Sequence, residues 1–333
     1  MKKILIICFI LLIVKTNVIA QKSGYHLADS FHIASTGGWD YIAVNKNKLY
    51  VSHGTQVNIL DKANGDSLGV IPNTTGVHGI AFDNELNKGY TSNGRLNNVT
   101  VFDLATNKIL TQISTGLNPD AIFYDDYSKR IITCNGRSNS LSIIDPATDK
   151  VVDTVALSGK PETAVSDGAG KVFVNIENKS AISEIDMKSL QVEKTWSIAP
   201  GESPSGLSID RKTKRLFAGC DNKMLVVLNA ESGSVVSSPA IGDGCDGTAF
   251  DPSLNYVYSS NGEGTLTIIK EISKDKYEVV ENVVTKRGAR TLAIDYTTHI
   301  VYLPTAIFKP VENGERRPPI VPGSFQVLVL KKQ

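Results

Sequence analysis

One phrase returns seven times along the 333-residue chain, roughly every forty residues, and it restricts the fold more than any other feature. Gly or another small residue leads into an apolar stretch that ends near Asp. A polar turn follows, then a second stretch closing on Tyr-x-Ser/Thr-Asn-Gly or a worn version of it. The clearest copies are Gly79-Ile80-Ala81-Phe82-Asp83 leading to Tyr90-Thr91-Ser92-Asn93-Gly94, and Gly247-Thr248-Ala249-Phe250-Asp251 leading to Tyr258-Ser259-Ser260-Asn261-Gly262. The residues closing the first stretch are Asn45, Asp83, Asp125, Asp167, Asp210, Asp251 and Asp295, spaced 38 to 44 apart. Such a period marks a repeat architecture in which no single unit buries its own apolar face.

Each unit continues with a third alternating stretch ending near Asp, as in Val99 to Asp103 and Leu141 to Asp145. A fourth follows an Asx/Gly/Thr turn, as in Lys108 to Ile113 and Val151 to Leu157. Four short antiparallel strands per unit describe a propeller blade, so the fold class is all-β, a seven-bladed β-propeller. No segment sustains a 3.6-residue apolar period, and essentially no helix is expected. Seven first strands require seven fourth strands, yet the last unit ends on Phe325 to Leu330, which reads as its third. The missing strand is His26 to Ile33, whose tail Ala34-Ser35-Thr36-Gly37 matches Ile113-Ser114-Thr115-Gly116 at the end of a complete blade. The N-terminal strand is therefore expected to pair onto the last blade and close the ring, leaving no exposed sheet edge. Residues 21–333 form one domain on this reading. Within the last blade, loop 307–323 carries four prolines, and reads either as a disordered insertion or as a lid or contact loop.

Residues 1–20 read as a cleaved signal peptide: Lys2 and Lys3, an apolar run from Ile4 to Val14, then Val18-Ile19-Ala20. That run is short for a membrane span, and no later stretch reaches about 18 apolar residues. A periplasmic or secreted location, no membrane span and a monomeric state are the corresponding expectations. Without Lys2, Lys3 and Lys15 the chain has 32 basic against 34 acidic side chains, a net of −2. This balance argues against nucleic acid or anionic lipid as the main partner. The densest basic cluster, Arg211 to Arg215, falls in a turn and reads as solvated. Cys134, Cys220 and Cys245 follow the leader, an odd number that excludes complete internal pairing. Cys220 ends one repeat's second strand and Cys245 opens the next repeat, so these two are the candidate disulfide, with Cys134 a buried thiol.

The endings Tyr50-Val51-Ser52-His53, Tyr90-Thr91-Ser92-Asn93 and Tyr258-Ser259-Ser260-Asn261 resemble the Tyr-Val-Thr-Asn repeat. So does the ending Val/Ile-x-Val/Ile-x-Asp followed by Ala-Thr-Asn/Asp-Lys (Ala105 to Lys108, Ala147 to Lys150). The resemblance is to the YVTN-repeat, YncE-like seven-bladed propellers of exported bacterial proteins, and it covers Tyr25 to Leu330. It implies the fold, an exported location and, through the DNA association of the family's bacterial member YncE, an allowance for nucleic acid. Propeller lactone hydrolases and cycloisomerases look similar in repeat layout. Phe173 to Ile176, Phe217 to Cys220 and Tyr302 to Thr305 depart from the motif.

Strand direction gathers the residues just before the first strands at the mouth of the central channel: Asp40, His78, Asp120, Glu162, Ser205, Asp246 and Arg290. Six of these seven are ionisable, whereas the same strands turn apolar within a few residues. Like charges crowded on a narrowing ring raise one another's pKa values or recruit a cation; a wet polar channel lining is the plainer reading. The second-strand ends add His53, Asn93, Asn135, Glu177, Cys220, Asn261 and Thr305, with Arg95, Arg137 and Glu263 beyond. Asn-Gly there has a turn explanation, because both residues tolerate positive φ. His53 and His78 with Asp40 and Asp120 suit a transition metal by ligand type, and the oxygens alone suit Ca²⁺, so a divalent cation is a candidate cofactor. Trp39 reads as packing between blades or as a stacking surface at the mouth. No Gly-x-Ser-x-Gly occurs, so no hydrolase triad is assigned.

The expected function is binding of a small-molecule ligand or exported partner protein at this charged mouth, through Asp40, His53, His78, Asp120, Glu162, Asp246 and Arg290. The alternative is a lactonase or cycloisomerase-like enzyme acting on a sugar acid or lactone. There His78 would serve as general acid or base and Arg290 would stabilise negative charge. A DNA-binding or scaffold propeller is the third reading.

Overall fold

The computed structural model describes residues 22–310 and 318–333; the segment expected to be a signal peptide and part of the long loop lie outside them. Seven four-stranded antiparallel sheets succeed one another along the chain. Their turns follow from side-chain chemistry. Asp83 Oδ1 accepts the backbone N–H groups of Glu85 (3.0 Å) and Leu86 (3.1 Å), and Asp251 Oδ1 those of Ser253 (2.9 Å) and Leu254 (3.3 Å). These side chains mimic a backbone turn at the end of the first strand, which explains the recurring Asp. Asn87 and Asn255 then take left-handed φ values of 56° and 53°, a conformation Asn tolerates better than most residues.

The Tyr of the repeated phrase is the knob between blades. Tyr50, Tyr90, Tyr258 and Tyr302 are all fully buried. Tyr50 of the first blade sets its ring 4.9 Å from Phe82 and 6.0 Å from Phe102 of the second, and Phe217 stacks 5.3 Å from Phe250 in the same way. Seven apolar clusters result, drawn mainly from neighbouring blades rather than from one central core. Aromatic pairs of this kind add about 0.5–1.5 kcal/mol beyond area burial.

The ring closes as the strand count requires. Tyr25–His32 pairs antiparallel with Gln326–Lys332, from Tyr25 opposite Lys332 to His32 opposite Gln326. Ile33 N–H extends the ladder to Phe325 O at 3.0 Å. Tyr25, 4% exposed, donates its hydroxyl to His299 O at 2.7 Å and meets the Tyr258 hydroxyl at 2.9 Å.

The structure corrects several details. Asp40, His78, Asp120, Glu162, Ser205 and Asp246 are each the second residue of an inner strand rather than preceding it; of the seven mouth residues Arg290 alone lies before its strand, Ala293–Asp295. The fourth blade's second strand stops at Ile176, and Glu177 begins a short 3-10 turn to Lys179, the one helical element among the described residues. Register pairs Pro161 with Ile176 where the third blade pairs Pro119 with Asn135, so Ile176 holds the strand-end place expected for Glu177. Cys220 and Cys245 are free thiols rather than a disulfide. Neighbouring residues of a strand point to opposite faces: a Cβ on Gly219 would lie 2.3 Å from the Cys245 sulfur, whereas the Cys220 sulfur packs against Gly201. Burial pushes both thiols up to about 12, which leaves them inert. Cys134 is buried as expected. The base of loop 307–323 is paired, Val321 N–H to Ile307 O at 2.8 Å and Lys309 N–H to Pro319 O at 2.8 Å, and Phe308 packs on Trp39 at 5.8 Å.

Removing residues 22–33 strips the partner from Gln326–Lys332 and takes Tyr25 and Phe31 out of two clusters. We expect a fall in Tm of at least several degrees in thermal melts, with self-association through the bared edge visible in light scattering. An unchanged Tm and a compact monomer would refute closure by this strand.

Candidate functional site at the channel mouth

A β-bulge sits at the start of six of the seven innermost strands. Trp39 lies opposite His53 and Ile42 opposite Val51, so three steps on one strand match two on the other. The same extra residue occurs after Val77, Pro119, Pro161 and Pro204, and Asp246 is itself the extra residue after Cys245. A bulge re-aims a side chain away from the pleat, here at Asp40, His78, Asp120, Glu162, Ser205 and Asp246. The Ser of the repeated phrase pins the bulges. Ser52 Oγ accepts the Asp40 N–H (3.0 Å) and donates to Tyr41 O (2.8 Å); Ser92 Oγ accepts the Gly79 N–H (2.8 Å) and donates to Asp120 O of the next blade. Ser260 donates to Arg290 O at 2.5 Å, Asn175 to Ser205 O at 3.0 Å and Thr291 to Asp40 O at 2.7 Å.

The mouth side chains form a linked set. His78 Nδ1–H donates to Asp40 Oδ2 at 2.6 Å and lies 3.7 Å from Asp120 Oδ1. Arg290 contacts Asp40 Oδ1 at 3.4 Å and donates Nε–H to Asp246, whose other oxygen accepts the Ser205 hydroxyl at 2.6 Å. Hydrogen bonds thereby join five blades through side chains, and the His78–Asp120 ion pair adds a sixth. Glu162 pairs instead with Lys160, 2.8 Å away but poorly aligned for a hydrogen bond, and Lys160 also reaches Glu177. Burial alone would lower the His78 pKa; the hydrogen bond donated to Asp40 and the charge of Asp120 outweigh it and raise the imidazole to about 9. Burial raises the Asp120 carboxyl, which His78 opposes and Asp40 and Asp246 reinforce. Burial and Asp120 likewise raise Glu162 against the pull of Lys160. Asp120 is 8% exposed and its carboxylate accepts no hydrogen bond from any described residue.

The outer ring divides differently. Asn93, Asn135 and Asn261 are fully buried in extended backbone, not at positive φ, so the turn explanation is replaced by another. Each amide clips its strand to the next: Asn93 Nδ2 to Thr100 Oγ1 (2.8 Å), Asn135 to Ser142 (2.9 Å) and Asn261 to Thr267 (2.9 Å). The following Gly leaves room for the mouth, since a Cβ on Gly94 would lie 2.6 Å from His78 Nε2. His53 stands apart from the His78 cluster, which comprises Asp40, His78 and Asp120. Its ring stacks 3.8 Å from Phe325 and bonds Ser35 Oγ (2.6 Å) and Gly37 O (2.9 Å). Thr305 donates to Arg287 O and Glu263 accepts from Thr265, while Cys220 is buried.

A cavity of about 590 Å³ opens over these groups, lined by Trp39, Asp40, His78 and Arg290 and, from the rim, by Asn118, Arg95 and Arg137. Both rim arginines are exposed, and neither makes an ion pair among the described residues. Trp39 is mostly packed against Phe308 and Phe325, between the last and first blades as expected. Tyr41 follows Asp40 in the inner strand Trp39–Asn45. It reaches across the channel to the Thr163 hydroxyl of the fourth blade at 3.3 Å and packs on the cluster there. Desolvation first, then the carboxylates of Asp120, Glu162, Asp40 and Asp246, push its phenol well above the ordinary range. Lys160 was missed in the sequence; its place two residues before Glu162 is the signal that would have found it.

The molecule is a seven-bladed β-propeller with a charged mouth. No family pattern and no curated protein matches the sequence. Among solved structures, a chain of Kuenenia stuttgartiensis hydrazine synthase superposes with a TM-score of 0.72 at 16% identity, covering 82% of this chain and 94% of that one. At that identity the likeness shows the fold alone.

His53 carries a pH dependence. Burial lowers its pKa from 6.5 despite the Gly37 carbonyl, so the fold holds the neutral ring. A lowered folded pKa contributes stability above pH 6.5 that is lost as pH falls toward the folded value. We expect Tm to drop between pH 7 and 5 less steeply in His53→Gln than in the unmodified protein. Equal slopes in the two would assign the acid sensitivity elsewhere.

Proposed function

We propose that the protein is an exported, YVTN-repeat-type propeller, periplasmic or secreted and monomeric, which binds a small anionic molecule in the mouth cavity. The observation carrying this reading is the pair of guanidinium groups, Arg95 and Arg137, that make no ion pair among the described residues and stand on the rim of a cavity whose deeper wall is His78, Asp40 and Arg290. Its volume falls within the range of about 300–1,000 Å³ usual for small-molecule sites. Guanidinium forks match carboxylate and phosphate geometry, and Asp40 offers an acceptor for ligand hydroxyls. A sugar acid or hydroxy acid combines both features.

The enzyme reading draws support from the His78–Asp40 pair, an arrangement that orients an imidazole for proton transfer. Against it, Arg290 is already engaged by Asp246 and Asp40, which leaves less of its charge for a developing anion. A nucleic-acid partner draws no support from the near-neutral charge balance.

Citrate, gluconate and inorganic phosphate, titrated while following the fluorescence of Trp39 at the rim, test the reading. At least one should bind saturably. The double variant Arg95→Ala/Arg137→Ala should weaken it by about tenfold or more, with Tm retained because both side chains are exposed. Binding unchanged in that variant would place the anion site elsewhere. Turnover of a lactone that disappears in His78→Ala would favour the enzyme.

A further inference from the structure

We propose that Asp40, His78 and Asp120 form a three-point site for a divalent transition metal ion, zinc or manganese in class, at the base of the mouth cavity. The inference deepens the ligand-binding reading, since such an ion would face the same cavity, but it stands on different atoms and is tested without any organic ligand.

Three observations converge. His78 Nδ1, Asp40 Oδ2 and Asp120 Oδ1 come from three successive blades, and one donor atom of each lies within 4.8 Å of the others. The Nδ1 to Asp120 separation of 3.7 Å is close to the spacing of about 3.3 Å between ligands of a tetrahedral zinc site with bonds of about 2.0–2.2 Å. The 2.6 Å hydrogen bond to Asp40 would open by less than an ångström as coordination replaced it. Asp120 supplies the independent observation. The residue is 8% exposed, and its carboxylate accepts no hydrogen bond among the described residues, with the imidazole 3.7 Å away as its ion-pair neighbour. A largely buried carboxylate that accepts no hydrogen bond is costly, and this one is directed at the imidazole.

The nearby cations do not fill that role. Arg290 is held between Asp246 and the far oxygen of Asp40, and Lys160 is held by Glu162 and Glu177. Arg290 thus leaves Asp40 Oδ2 free to bind an ion while restraining Oδ1. One imidazole nitrogen with two carboxylate oxygens is a donor set suited to Zn²⁺ or Mn²⁺, harder than thiolate sites and softer than the all-oxygen shells of Ca²⁺. Three protein ligands leave a position open, as in zinc sites that bind a further ligand. That position would face the cavity that His78 and Asp40 line, below the rim arginines.

The test is isothermal titration of the chelator-treated domain, residues 21–333, with zinc chloride and separately with manganese chloride. One equivalent should bind, and affinity should fall by about tenfold or more in His78→Ala and in Asp120→Asn, each loss removing one of three ligands. His26→Ala, an exposed histidine on the closing strand, should bind as the unmodified protein does. Circular dichroism melts check that each variant is folded, with His78→Gln standing in for either that is not. In crystals grown with zinc, an anomalous peak should lie within bonding distance of His78 Nδ1. No saturable uptake, uptake indifferent to both substitutions, calcium binding as tightly as zinc, or an anomalous peak on another residue would each overturn the site. The anion reading would survive any of these results, because it rests on Arg95 and Arg137.

Discussion

Asp40 and Arg290 lie 250 residues apart and meet at the seam where the last blade touches the first. Everything proposed for the mouth depends on that junction. It is held at several depths: Thr291 donates to Asp40 O at 2.7 Å, Lys62 pairs with Asp295 at 2.7 Å, and the Tyr302 hydroxyl donates to Lys62 O at 2.9 Å. Trp39 fills the seam against Phe325 and Phe308. None of these contacts is local, so the entropy of closing a very long loop must be met before any of them forms. The N-terminal strand makes the junction durable by completing the last blade with backbone hydrogen bonds, and His53 adds a stacked ring beside the same join.

The architecture was legible because the repeat writes one physical role per position. Asp ends the first strand as a turn acceptor, and Tyr is the knob between blades. Asn and Ser were visible as a signature, but their jobs were not: a strand-to-strand amide clip and a pin on the neighbouring bulge depend on register and on the next blade. The mouth ring Asp40, His78, Asp120, Glu162, Ser205, Asp246 and Arg290 could be listed from alignment alone. Which of its members touch could not, because one extra residue in each inner strand decides where a side chain points. His53 and the Cys220–Cys245 pair misled for one reason. Sequence alignment places a residue at a rim or beside a blade, whereas the alternation of faces along a strand sets its neighbours. Arg290 shows the reverse, since its strand is shortened yet it stands at the mouth where the ring position put it.

The charge distribution separates what serves the fold from what does not. Ion pairs elsewhere, such as Lys171 with Asp186 or Arg211 with Asp126, are solvated and contribute little. At the mouth, four carboxylates from different blades share a narrow ring with two committed cations and an imidazole. Burial and mutual repulsion raise Asp120 and Glu162, so this cluster opposes stability relative to an apolar plug of similar volume. A chain able to fill its blades with Val, Ile and Tyr could have filled this ring likewise. Local violations of otherwise consistent packing are where function concentrates.

Tyr41 gives that ring a direction. Its side chain leaves the first blade beside Asp40 and crosses to Thr163 on the fourth, so the channel is obstructed just below the acidic groups. On the proposed reading, a molecule reaching His78 from this cavity would pass Arg95 and Arg137. Positive charge at the entrance and negative charge beneath favour a ligand of mixed character, anionic at one end and hydroxylated or metal-bridged at the other. A purely cationic ligand would meet two unpartnered arginines first, and a purely anionic one would stop at the rim. On the proposed ligand-binding reading, the order of charges along the entry path, more than the charge of any single residue, would set what this mouth selects.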